Sequence, residues 1–254
     1  VRMLRAIRFQ AKLGFTIHEG TREPIGRLAP LLAQIPPARL LDEFQKLFLA
    51  GFGQRAFELL VEHGLLEQLF PATAAYLAQE TDGRAARLIG RGSGILTGVC
   101  SKIARCRMLL FGPISAAAQR RFEAGSQAGQ AIAEAADQVV AVQNRRIGIP
   151  KRFSIPMREM LALQPRFHRR EGRRALAFIS HPRFRAAYDF LVLRAETGGE
   201  DPAVARWWTE LQELPQEQQQ QRVGADEGHS GQPVGAGRHR RRRGGRRRRA
   251  PTTE

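Results

Sequence analysis

The sequence predicts an all-α fold. Apolar residues return every three or four positions through most of the first 214 residues, glycines and prolines fall where those runs stop, and 43% of the chain is hydrophobic, enough for a packed core. The first element starts at the chain start. Met3, Leu4, Ile7 and Ala11 share one helical face beside a ridge of Arg2, Arg5, Arg8 and Lys12, and Gly14 ends it. Thr21 is the expected N-cap of a second helix from Arg22, with Pro24 in its first turn. Pro36-Pro37 breaks the chain and pre-sets a third, whose stripe is Leu40, Leu41, Phe44, Leu47 and Phe48, stopped at Gly51. A fourth runs from about Gln54 to His63 and stops at Gly64, and a short Leu65–Phe70 segment ends at Pro71.

Residues 83–122 break the pattern. They hold eight Lys/Arg, no acid and the run GRGSG at Gly90–Gly94, with weak helical periodicity. This stretch is expected to be poorly folded over about 84–102. Order returns over Gln130–Arg146, where Ile132, Ala135, Ala136, Val139, Val140 and Gln143 keep helical spacing. Pro150 and Pro156 bracket KRFSI and predict an extended or turning piece. Met157–Leu163 is helical up to Pro165, and Ser180 with Pro182 opens a helix carrying Tyr188, Leu191 and Leu193 towards Glu196. Asp201-Pro202 starts a last helix through Trp207 and Trp208. From Pro215 the composition turns to Gln, Gly, Ser, Pro and then RHRRRRGGRRRR, which cannot bury enough apolar surface to offset chain entropy, so residues 215–254 are expected to be a disordered tail.

The net charge of +17 is focused. Residues 145–174 hold ten Lys/Arg against two acids, and residues 238–254 hold nine Arg against one acid, leaving the rest of the chain close to neutral. Two separated basic patches suit a polyanion track. No apolar window is free enough of charge to span a membrane, since the best one, Ile95–Ile114, carries Lys102, Arg105 and Arg107. Cys100 and Cys106 have no histidines at ligand spacing, which argues against zinc and for reduced thiols in a cytoplasmic protein.

The block from Arg145 to Glu196 carries the functional signal. Guanidinium groups pair with phosphates and open aromatic faces stack on unpaired bases, and this block mixes the two densely. Its candidate RNA contacts are Arg145, Arg146, Lys151, Arg152, Phe153, Arg158, Arg166, Phe167, Arg169, Arg170, Arg173 and Arg174. Phe184 and Phe190 have the spacing of core residues. The tail adds Arg240, Arg241, Arg242, Arg243, Arg246, Arg247, Arg248 and Arg249, a run suited to fast, sequence-independent attraction of RNA. If about six phosphates are neutralised, binding should fall with salt at a slope of roughly −4. Arg2, Arg5 and Arg8 read either as a solvated helix face or as cations for a triphosphate or RNA phosphates.

Catalytic readings fail on spacing. GRGSG lacks the Lys-Ser/Thr of a P-loop and has no carboxylate pair downstream to hold metal ions. Asp42-Glu43 lies inside an amphipathic helix, where pairing with Arg39 or Lys46 is the expected role. The histidines form no ligand set, no Ser or Cys is marked as a nucleophile, and no metal site is predicted.

Three pieces resemble a known family. VRMLRAIRFQAKLGF, IPPARLLDEFQKLFLAG and FELLVEHGLLEQLFP look like the neck of class II nucleotidyltransferases, which comprise bacterial poly(A) polymerases and tRNA CCA-adding enzymes. RRIGIPKRFSIPMREMLALQPRF, the later HPRFRAAYDFLVLRAE and the arginine-rich end resemble the poly(A) polymerase branch, and CCA-adding enzymes generally lack them. The resemblance implies a helical neck over residues 1–82, an RNA-binding body over 127–214 and an arginine-rich tail over 215–254. It implies transfer of AMP from ATP to RNA 3′ ends with Mg2+, both held mainly by an upstream catalytic head. The chain opens at Val1 inside a helix, as the downstream part of a longer protein would. Arg2 matches the last position of the family's Glu-Asp-x-x-Arg base-selecting motif, and Arg5 and Arg8 match the arginines that follow it. Residues 83–126 are atypical, since the family has an apolar helix where 83–107 is basic and glycine-rich. A shifted reading frame or a divergent insertion would each account for it. The implied partners are single-stranded RNA 3′ ends and, through the tail, RNA-decay proteins. By itself this chain is expected to bind RNA without transferring AMP. CCA addition to tRNA and a non-catalytic RNA-binding adaptor are the alternatives.

Overall fold

The computed structural model describes residues 1–48, 51–95 and 100–227, with backbone alone at 93–95, 100–107 and 224–227. The tail arginines from Arg240 to Arg249 therefore lie outside the described residues. Among those residues the structure is helical with no strand.

Helix α1 (Arg2–Leu13) buries Leu4 and Ile7 and stops at Gly14, whose φ of 71° is left-handed and natural for glycine. Helix α2 (Glu19–Leu28) starts before the Thr21 cap that the sequence suggested. His18 caps it instead, its Nδ1 accepting from the Gly20 N–H at 3.2 Å. A 3-10 turn over Ala29–Gln34 leads to helix α3 (Pro37–Phe48), which begins on Pro37 and buries the predicted stripe. Phe44 holds that stripe in the core, with Phe48 and Phe70 ring centroids 4.8 and 5.0 Å away. Helix α4 (Gly53–Glu62) turns at left-handed Gly64 into α5 (Leu65–Leu69). Pro71 does end α5, but it also opens α6 (Pro71–Gln79), because proline at the first helical position gives up an N–H that would be unpaired anyway.

Within the stretch expected to fold poorly, the described residues 84–95 and 100–102 are helical. Helix α7 (Arg84–Ile95) is capped by Glu80, whose two carboxylate oxygens accept from the Ala85 N–H at 2.8 and 3.0 Å. Leu88 and Ile89 are buried. Two glycines of GRGSG, Gly90 and Gly92, serve packing. A Cβ at Gly92 would overlap the Met108 side chain and come within 2.9 Å of Leu193 Cδ2, and one at Gly90 would meet Gln54 at 3.3 Å. Glycine here lets helices approach closely, an effect that sequence periodicity reads as helix breaking.

Helix α8 (Cys100–Glu123) contains Pro113 and packs along α9 (Ala128–Asn144). Helix α10 (Lys151–Leu163) replaces the predicted extended piece. Pro150 sits at its N-cap position, and Pro156 is carried inside it. Phe153, Met157 and Leu161 dock on the core, and their burial offsets the backbone bond that Pro156 cannot make. After a 3-10 turn over Gln164–His168 come α11 (Gly172–Ile179), α12 (Phe184–Glu196), α13 (Pro202–Glu213) and α14 (Gln216–Glu227). Asp201 caps α13 by accepting from the Ala203 N–H at 2.8 Å. Helix α14 lies within the region read as tail. Val223 is buried against the bundle, so packed chain continues past Pro215.

The helices enclose two apolar cores. The larger one takes residues from α1 to α10 together with Phe190 and Leu193 of α12. The smaller one forms from Leu163 onward around Trp208, with Phe167, Phe178, Phe184 and Tyr188. Helix α10 contributes to both.

Candidate nucleic-acid interface

Arginines need positions free of neighbouring acids if they are to meet phosphate. The ridge on α1 divides in this respect. Arg2 is exposed, but Arg5 and Arg8 approach the Glu43 carboxylate at 3.5 and 3.6 Å, and Lys46 joins them at 3.3 Å. The Glu43 side chain is only 4% exposed. Burial pushes its carboxyl up, but Lys46, Arg5 and Arg8 outweigh that and hold it below the usual carboxylate range. The pairing with Lys46 agrees with the sequence reading. The two cations from α1 could not be foreseen, since they arrive through the packing of α1 on α3.

The body block resolves into two groups. Arg145 and Arg146 end α9 and Lys151 and Arg152 open α10, in a turn that lies against the start of α3, where Gly148 N–H donates to the Pro37 carbonyl oxygen at 3.4 Å. That approach adds exposed Arg39, a cation missing from the sequence-based set. The second group, Arg166, Arg169, Arg170, Arg173 and Arg174, lies on the smaller core, at the 3-10 turn and the first turn of α11. Among the described residues, neither group forms an ion pair with an acid. Arg158 differs, because Asp137 binds its guanidinium. The first turn of α10 holds cations and no acid, so the positive end of its dipole adds to the field, whereas the N-cap of α11 is an acid, Glu171.

The aromatic part of the expectation needs correction. A base stacks only on an open ring face. Phe167 is 0% exposed, edge-on to Phe178 at 4.9 Å and to Trp208 at 5.4 Å. Phe153 is buried in the larger core, with the Arg152 guanidinium 5.0 Å from its ring centroid. Neither ring can take a base. Alternating aromatic and basic residues are also what a buried helix face with a basic outside produces, and the smaller core is built that way. The phenylalanines most exposed to solvent are Phe9, Phe15 and Phe122, while Tyr76 and Trp207 are half-buried.

Among the described residues no cluster of three or more His, Cys, Asp or Glu could hold a metal ion, and no helix is long and apolar enough to cross a membrane. The residues beside the α1 ridge do not suit Mg2+, since the one buried acid there is already shared by three cations.

Comparison with known proteins decides the lineage. Residues 124–249 match the family model "Polymerase A arginine-rich C-terminus", and residues 14–77 match "Probable RNA and SrmB- binding site of polymerase A". The chain is 39% identical over 224 residues to poly(A) polymerase I of Escherichia coli O157:H7, covering 84% of this chain and 48% of that protein. It is 38% identical over 234 residues to poly(A) polymerase I of Haemophilus influenzae, covering 88% of this chain and 51% of that one. The chain belongs to the bacterial poly(A) polymerase family. It spans about half the length of these relatives and corresponds to their C-terminal part. A CCA-adding enzyme of Geobacillus sp. is 49% identical over 65 residues, which is 26% of this chain. The family match thus extends over both cores, whereas this CCA-adding match is confined to a short piece.

Proposed function

We propose that this chain is the RNA-holding C-terminal part of a poly(A) polymerase, in which an upstream catalytic half adds AMP from ATP, with Mg2+, to RNA 3′ ends in the cytoplasm. The observation that carries this reading is the turn joining α9 to α10. Arg145, Arg146, Lys151 and Arg152 stand there without an acid partner among the described residues. The group on the smaller core, led by Arg169, Arg170, Arg173 and Arg174, extends the same field. Arg2 is the ridge cation best placed for a phosphate, because Arg5 and Arg8 already share Glu43. For the arginine-rich tail the proposed partners are RNA phosphates and RNA-decay proteins.

AMP transfer belongs to the upstream half in this reading, not to these residues. Their part is to bind and orient a single strand. Fluorescence anisotropy of residues 1–254 with labelled oligo(A) tests this. Affinity should fall between 50 and 200 mM salt with a logarithmic slope of roughly −4, a loss on the order of 300-fold. Absence of binding in dilute buffer, with helical circular dichroism intact, overturns the reading.

A further inference from the structure

With Phe153 and Phe167 buried, the two rings expected to stack on bases are closed to them, and α1 supplies open ones. Phe9 is 49% and Phe15 is 66% exposed. At about 100° per residue, Arg2, Arg5, Phe9, Lys12 and Leu13 share the side of α1 opposite buried Leu4 and Ile7. Cations and an open ring therefore alternate down one face of a helix that contains no acid. The Arg8 guanidinium lies 5.2 Å from the centroid of the Phe9 ring. Left-handed Gly14 turns the chain directly after the helix and presents Phe15 just beyond its end. The next acid along the chain, Glu19, is paired with Arg22 at 2.7 Å.

An apolar face of this kind could also pack against protein. Its charge favours a polyanion, because a partner that covered Phe9 and Leu13 would have to bury or neutralise Arg2, Arg5 and Lys12 together with them. A single nucleic-acid strand offers phosphates and bases in one ligand. Phe15 also falls inside the segment matched to an RNA-binding family model.

We propose that Phe9 and Phe15 form a base-stacking platform for single-stranded RNA at the C-terminal end of α1, with Arg2 and Lys12 holding the phosphates alongside. This rests on the RNA-holding reading and adds where the bases lie. The ligand class is any unpaired purine-rich strand, held by ring area rather than by base-edge hydrogen bonds.

The test compares two labelled ligands on residues 1–254: oligo(A), and an abasic ribose-phosphate oligomer of equal length. Phe9→Leu and Phe15→Leu should each weaken oligo(A) binding on the order of 5- to 100-fold and leave the abasic oligomer unaffected. Phe15→Tyr, which keeps a ring, should retain the affinity. Oligo(A) affinity that survives both leucine substitutions overturns the platform while leaving RNA binding intact. So does an equal loss for both ligands, which would report a general effect on the fold. Sedimentation showing that the chain self-associates, and that Phe15→Leu makes it monomeric, overturns it in favour of packing between copies. An unsubstituted chain that binds neither ligand removes the RNA-holding reading, and the platform with it.

Discussion

The hydroxyl of Thr73, on α6, donates to the carbonyl oxygen of Leu109, on α8, at 2.7 Å in the buried core. Leu109 stands four residues before Pro113, whose ring nitrogen has no hydrogen to offer that carbonyl. A side chain 36 positions away thus supplies the bond that the helix lacks. Thr73→Val should destabilise the chain by roughly 1–3 kcal/mol, the cost of an unpaired buried carbonyl. Pro113→Ala restores a backbone N–H to the helix, so the double substitution should recover most of that loss. A urea-denaturation double-mutant cycle checks the coupling, and additive effects would show that Thr73 does not compensate for Pro113.

Glu43 joins α3 to the α1 ridge, and its depressed pKa sets the sign of a pH effect. A carboxylate whose folded pKa lies below its unfolded value of about 4.5 stabilises the fold above that pH, and this contribution is lost as pH falls through the folded value. Glu43→Gln should cost roughly 1–2 kcal/mol at neutral pH, moderated because Arg5 and Lys46 keep access to water. Melting curves of the two proteins against pH should converge in acid. A constant gap down to strongly acidic pH would contradict the ion-pair account.

Phe167 and Trp208 anchor the smaller core, with the indole N–H donating to the Phe167 carbonyl oxygen at 2.8 Å. Phe167→Ala should cost about 3–5 kcal/mol. Trp208→Phe should cost less, roughly 1–3 kcal/mol, because a ring remains while the carbonyl loses its donor. Thermal unfolding measures both. Loss of RNA affinity in Phe167→Ala without loss of stability would restore the ring as an RNA-binding group.

Ion pairing separates arginines that look alike in sequence. Replacing Arg145, Arg146, Lys151 and Arg152 with alanine should flatten the salt slope of oligo(A) binding by about 0.7 for each phosphate no longer neutralised. Arg158→Ala should leave the slope unchanged, since Asp137 occupies its guanidinium. Equal effects at Arg152 and Arg158 would contradict the division.

The helices α1, α3, α4, α9 and α13 and the concentration of charge at 145–174 were legible in the chain itself. Apolar spacing, caps and Gly or Pro stops are local, and each states its helix without reference to distant residues. The resemblance to the polymerase family was legible for the same reason, since it is carried by contiguous runs. Tertiary structure alone decided which helices tolerate breakers. Gly90, Gly92 and Pro113 are punctuation to a linear reading, yet they sit where another helix approaches or another side chain supplies a bond. It also decided which arginines face solvent alone and which aromatic rings are covered. A guanidinium reads the same in sequence whether or not a carboxylate from another helix comes to meet it. Phe153, Phe167 and Phe9 likewise differ only in what the fold places against them.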